Sequence, residues 1–282
     1  MNISIQFIRQ AKMYTLLSLL LCATLSTAAP ADTVQAAAVR PVERATMYGL
    51  GWANQYDTYL SPQEYRGIEF RLSRESLRRT RWADGRLVRQ AFFQGYANYT
   101  HNHVDNNNAL GALVNWNWGL HYDFPVARGL HLLAGGLADL SGGFLWNFRN
   151  GNNPANARAA VAVDASVAAV WDFRVRRVPL RLRYQLDVPL LGAMFSPHYG
   201  QSYYEIFSLG NAGGVVKFTS LHNRPSWRHR LSLDFPVGRL KMRFTYLWDV
   251  QQSKLNHIET HAYGHIFMVG FVKQFSLLPP NR

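Results

Sequence analysis

From Ala109 to Phe124 the chain alternates without a break. Leu110, Ala112, Val114, Trp116, Trp118, Leu120, Tyr122 and Phe124 fall on one parity; Gly111, Leu113, Asn115, Asn117, Gly119, His121 and Asp123 fall on the other. Successive side chains of a strand point to opposite faces, so this is one long strand with a greasy face and a mostly polar face. Strands in soluble sandwiches are usually about 5–6 residues long. The length and the tryptophan-rich apolar row instead predict a strand that crosses a bilayer within a closed barrel.

The start of the chain has a different grammar. Met1–Met13 carries Arg9 and Lys12 and no acid, Tyr14–Leu25 is apolar, and Ser26, Thr27, Ala28 and Ala29 are small. That pattern predicts a secretory signal peptide over residues 1–28, with cleavage after Ala28 or alternatively after Ala31, because a cut after Ala29 would leave Pro30 first. Its apolar core is short for an uncleaved anchor. Cys22, the sole cysteine, lies in that core behind Leu21, where a lipoprotein signal has a small residue. Without the leader there are no disulfides, thiolate metal sites or cysteine nucleophiles.

Beyond the leader no uninterrupted apolar run reaches the roughly 18 residues of a spanning helix. Ala159–Val170 could pass for a buried helix, but its flanks alternate as a strand does. The formal charge is +13, and removing Arg9 and Lys12 leaves about +11. Such an excess would suggest nucleic acid in a cytosolic protein. For an exported chain the anionic neighbours are lipopolysaccharide phosphates and anionic solutes, so no nucleic-acid partner is expected.

A turn recurs. Asp123-Phe124-Pro125-Val126-Ala127-Arg128-Gly129-Leu130 is matched by Asp234-Phe235-Pro236-Val237-Gly238-Arg239-Leu240, and more loosely by Asp172–Leu180. Proline cannot donate to a ladder, so these copies mark strand ends, and their shortness suits periplasmic turns. Longer polar stretches at Tyr56–Glu64, Asn102–Asn108, Arg149–Asn156, Leu191–Ser202 and Ser253–His257 read as extracellular loops. Strands are predicted near 46–55, 65–76, 87–101, 109–124, 130–147, 157–174, 180–190, 203–209, 213–222, 227–235, 240–252 and 259–275. If the two matching turns lie on one side, an even number of strands separates them, which keeps both 203–209 and 213–222. The expectation is an all-β, closed antiparallel transmembrane barrel of about 12 strands, with 10 as the alternative. It comprises a short N-terminal periplasmic segment (29–45), the barrel (46–275) and a C-terminal tail (276–282). Phe267, Val269, Phe271 and Phe275 share one parity of the last strand, similar to the aromatic-ended terminal strand of bacterial outer-membrane proteins.

The segment Asp57–Gly67 carries Tyr59, Leu60, Ser61, Pro62, Glu64, Tyr65 and Gly67 in a Tyr-Leu-Ser-Pro-x-Glu-Tyr-x-Gly pattern. In this the chain resembles an uncharacterised outer-membrane β-barrel family of Bacteroidota, a domain of unknown function. The resemblance implies the barrel fold and no activity. Physically, Ser61-Pro62 starts a turn and Glu64 and Tyr65 enter the second strand, as in a rigid first loop that aids closure.

With the apolar parity outward, the lumen receives Arg71, Arg174, Arg181, Arg183, Arg228, Arg230, Lys241 and Arg243, together with Glu69, Asp123, Asp164, Asp172, Asp187, Asp234 and Asp249. The signs nearly balance. A selective pore would show an unpaired ring of one sign, whereas balanced charge in a narrow barrel forms ion-paired networks that fill it. A catalytic His-x-Ser pair on one strand face is absent, as is a Gly-x-Ser-x-Gly elbow. His103 and Asp105 are available for a protease-like rim, but they sit in an Asn-rich loop. His257, Glu259 and His261 alternate at spacing two and would project from one side of a strand, a donor set suited to a divalent metal; His265 extends the row. The expectation is therefore a monomeric cell-outer-membrane barrel that is not an enzyme and has no cofactor. Its partners would be the lipid bilayer, lipopolysaccharide and the outer-membrane assembly machinery. Its expected role is passive passage or surface binding of a small polar solute; the alternatives are a structural ion-paired barrel, a surface enzyme acting on lipid or peptide, and a secreted soluble all-β binding protein.

Overall fold

Strict alternation runs along nearly every strand of the computed structural model, which describes residues 42–151 and 153–275. The predicted signal peptide, residues 29–41 of the predicted periplasmic segment and the tail 276–282 lie outside the described residues. The strands are β1 (Val42–Asp57), β2 (Ser61–Arg79), β3 (Leu87–Asn102), β4 (Asn108–Ala127), β5 (Leu130–Asn147), β6 (Ala155–Val175), β7 (Val178–Phe195), β8 (Val216–Ser220), β9 (Trp227–Val237), β10 (Leu240–Leu255) and β11 (Ile258–Phe275), with a short α-helix, α1 (Tyr203–Phe207), and a 3-10 turn at Ala83–Gly85.

Each strand pairs antiparallel with its neighbour, β1 closes onto β11, and β6 also pairs with β7, so the sheet is a closed barrel. Closure removes the unpaired edges that an open sheet would expose. The ring has ten strands, and β8 is an eleventh short one. β8 and β9 both pair with β7, β8 through Leu191–Phe195 and β9 through Arg181–Asp187. They form one descending strand, broken by residues 221–226.

This corrects the count of about twelve to its alternative of ten. Residues 203–209 are not a strand: Ser202 caps α1 in a reciprocal box with Glu205, a local hydrogen-bond economy that extended backbone could not supply. The segment 213–222 contributes only β8. Parity still holds, because four strands separate the matching turns just as six would. The barrel also begins at Val42 rather than residue 46, and the strands rise further into the predicted loops than alternation suggested.

The faces are inverted relative to a soluble barrel. Tyr48, Leu50, Trp52, Ile68, Phe70, Trp116 and Trp118 point outward and are exposed, while Glu69, Arg71, Gln90, Gln94, Asn115 and Asp249 point inward and are buried. Tight connections at 128–129, 176–177 and 238–239, with the longer 80–86, lie at one end beside both barrel termini. The segments 58–60, 103–107, 148–154, 196–226 and 256–257 lie at the other.

Candidate functional site

The inward parity of ten tilted strands crowds charge into a narrow interior. Toward the turn end, Glu75 on β2 is the centre. Arg243 donates from Nη1 to Glu75 Oε2 at 2.6 Å, from Nε and Nη2 to Asp234 at 2.5 and 2.9 Å, and from Nη2 to Glu43 at 2.8 Å. Arg230 donates to Glu75 at 3.3 Å and to Asp187 at 3.0 Å, and stacks over the Phe92 ring at 4.0 Å. Arg183 lies 3.3 Å from Glu75 and donates to Gln185 at 2.5 Å. At the mouth, Arg181 grips Asp172 at 2.6 and 3.0 Å and donates to Glu43 at 2.9 Å, and Lys241 lies 3.1 Å from Asp234.

Toward the loop end, Arg71 sits between Glu69 and Asp249, at 2.7 Å from each, beneath the Tyr96 ring. Arg228 lies 3.5 Å from Asp249 and donates to Asn117 at 3.1 Å. Asn117 in turn donates to Asp139 at 2.5 Å and to Asp164 at 3.5 Å. Met47, Leu247, Ile266 and Met268 form a small apolar waist between the two charge clusters on the β1, β10 and β11 side. The voids left are about 10, 20, 30 and 10 Å3, each room for one or two waters and no more.

Apart from Asp123 and Arg174, the charged lumen residues predicted from parity therefore meet in these two clusters or at the mouth. Arg183 meets Glu75, and Arg174 is exposed at the turn-end rim. Asp123 binds Arg79 and His131 instead of the central cluster. Sequence reasoning missed Glu43, which precedes the predicted first strand, and Glu75, although Glu75 continues the parity of Glu69 and Arg71. It also missed a buried chain in which Ser166 donates to Asp187 at 2.5 Å and meets His121 Nε2 at 2.8 Å. These three come from β4, β6 and β7, so no spacing within one strand reveals them.

The loop end is sealed by the Tyr59–Gly67 segment. Leu60 and Tyr65 pack with Ala109 and Leu145. The Tyr65 hydroxyl accepts from Asn107 at 2.8 Å and Asn147 at 3.0 Å, while Tyr59 donates to the Gln201 carbonyl at 2.7 Å. Burial pushes the Tyr59 phenol up to about 12. Tyr203 of α1 donates to Asn156 at 3.0 Å and crosses the Tyr59 ring edge-on. The turn is formed by Thr58, Tyr59 and Leu60 rather than by Ser61-Pro62, which are already the first residues of β2, with a register shift beside them at Tyr56 and Asp57; Glu64 accepts from Arg66 at 2.8 Å, and a side chain at Gly67 would strike the Tyr99 carbonyl oxygen. Arg224, in the break between β8 and β9, faces Asp139 and Asp164 across a void, and burial holds its guanidinium below its usual range.

A cleft of about 400 Å3 lies on the outer wall at the loop end. Tyr56, Glu64, His222, Gln252, Glu259 and His261 are among its lining residues. His261 stacks between Tyr56 and Tyr263, and Glu259 pairs with Lys254. The predicted metal row is not assembled. His257 lies in the two-residue turn with Asn256, both at positive φ, so the strand alternation assumed for His257, Glu259 and His261 stops at Ile258. Among the described residues no three His, Cys, Asp or Glu side chains are gathered for a metal.

A family model described as "Protein of unknown function (DUF3316)" matches residues 14–282. No curated protein matches the chain. Among solved structures it is similar to the outer membrane protease OmpT from Escherichia coli, at 8% identity and a TM-score of 0.43 over 84% of this chain and 96% of that one. It is similar also to the translocator domain of autotransporter NalP from Neisseria meningitidis, at 11% and 0.39 over 96% and 98%. A third likeness is to the COG4313 outer membrane channel from Pseudomonas putida F1, at 11% and 0.37 over 88% and 100%.

Proposed function

Because the chain belongs to the DUF3316 family, whose function is unknown, we propose a role from geometry alone: a sealed outer-membrane barrel that binds a small polar solute at its loop-end cleft. The carrying observation is the crowded interior, where voids of only about 10 to 30 Å3 lie among the buried ion pairs, beside an open cleft of about 400 Å3. Outward aromatic rows over an inward polar network suit lipid outside and protein inside. Tight turns and both barrel ends on one side suit a periplasmic turn end, and with that assignment the cleft would face the cell exterior. Its carboxylates, imidazoles and amides offer hydrogen bonds in both senses, the chemistry that holds a hydroxyl- or amine-bearing solute. Passage would require the arginine network to part.

Two measurements test this. Cell fractionation should find the protein in the outer membrane with heat-modifiable mobility, and planar bilayers should show no steady conductance. Calorimetric titration with a panel of monosaccharides, disaccharides and amino acids should find a ligand whose binding Glu64→Gln and His222→Ala weaken. Soluble recovery or open-channel currents in the wild type would overturn the reading.

A further inference from the structure

Exposed charge is distributed unevenly between the two ends. On the outward strand rows at the loop end it is matched: Arg66 pairs with Glu64, and Lys254 with Glu259. At the turn end it is not. Arg44, Arg74, Arg78, Arg89 and Lys273 are exposed on the outward parity of four adjacent strands, β11, β1, β2 and β3. Register makes them neighbours: Arg44 is opposite Lys273, Arg78 is opposite Arg89, and Arg78 is also opposite Val42, two residues from Arg44. Among the described residues none of the five makes an ion pair; Arg44 lies over the Phe275 ring at 5.5 Å.

Like charges directly opposite on one sheet face are destabilising, and this face holds two such pairs. Their height supplies the reason. On β2 the outward row runs Arg66, Ile68, Phe70, Leu72, Arg74. The eight-residue span at about 3.3 Å per residue, tilted near 40°, separates the two arginines by roughly 20 Å, slightly less than an apolar band of about 25 Å. Arg74 is thus at the edge of the apolar layer with its stem along it, and Arg44, Arg78, Arg89 and Lys273 lie just beyond, at headgroup level.

We propose that this patch is a binding surface for anionic phospholipid headgroups in the turn-side leaflet, their phosphates standing between the facing cations. The proposal rests on the membrane reading above. It differs from lipopolysaccharide contact, for which the unmatched cations would have to lie at the loop end.

The full chain is refolded into phosphatidylcholine vesicles with and without phosphatidylglycerol, and association of spin-labelled lipids of each type is compared. The wild type should favour phosphatidylglycerol by about tenfold, and added salt should erase the preference. A variant combining Arg44→Gln, Arg78→Gln, Arg89→Gln and Lys273→Gln should lose the preference yet unfold in pure phosphatidylcholine at no lower temperature, since like-charge repulsion is removed. Arg176→Gln with Arg177→Gln, at a turn tip, should leave the preference unchanged. An inserted wild type without preference, a preference that survives the fourfold replacement, or binding of soluble polyphosphate with no lipid selectivity would overturn the proposal alone. Failure to insert in either vesicle would overturn it together with the membrane reading.

Discussion

Replacing Glu75 by Gln keeps the side chain's shape and removes the charge that three guanidiniums share. Two of the three keep other acids: Arg230 retains Asp187, and Arg243 retains Asp234 and Glu43. Arg183 does not, because its other side-chain partner is neutral Gln185. One buried cation is therefore left uncompensated, which costs about 3–5 kcal/mol when one partner of a buried pair is removed. Arg183→Gln should cost less, since Glu75 still faces Arg230 and Arg243. The double replacement should be milder than the sum of the singles, with a coupling of about 2–3 kcal/mol. Urea titrations in lipid vesicles, followed by tryptophan fluorescence and gel mobility, measure all three. Additive, near-zero changes accompanied by new conductance would mean that water solvates each charge, and would refute the filled lumen.

Other outcomes follow from face, side and contact. Trp118→Arg, on the outward row of β4, should cost about 2–4 kcal/mol in vesicles if it lies near the midplane, and an unchanged urea midpoint would contradict the outward placement. Tags inserted at 103–107 and 148–154 should be accessible to antibody on intact cells and a tag at Gly238 hidden; the reverse pattern would invert the barrel. Gly67→Val should sharply lower the yield of the heat-modifiable form, because any side chain there meets the Tyr99 carbonyl; normal refolding would show that the strands can separate. Tyr65→Phe should cost about 1–3 kcal/mol by stranding the amides of Asn107 and Asn147, readable in the same urea titration.

Much of the architecture was legible because a closed barrel of this kind writes a period of two into every strand. Alternation at 109–124 located β4 and its faces, and the repeated Asp-Phe-Pro-Val turn located one end of the barrel. Face assignment likewise gathered Arg71, Asp187, Arg230 and Arg243 into the interior. Strand number was not legible. Parity allowed four or six strands between the matching turns, and only the pairing of both β8 and β9 with β7 decided for four. The same holds for partners across the lumen. Alternation states that a side chain points inward but not what stands opposite, so Arg183 meeting Glu75, or Ser166 lying between His121 and Asp187, depends on stagger around the ring. Likewise, alternation turns Asn117 inward, but only the closed ring sets it against Asp139 and Arg228. Direction, in or out, is written into each strand because it follows from local backbone geometry. What tertiary structure decided is proximity, because contacts between strands distant in sequence exist only once the ring has closed at one particular register.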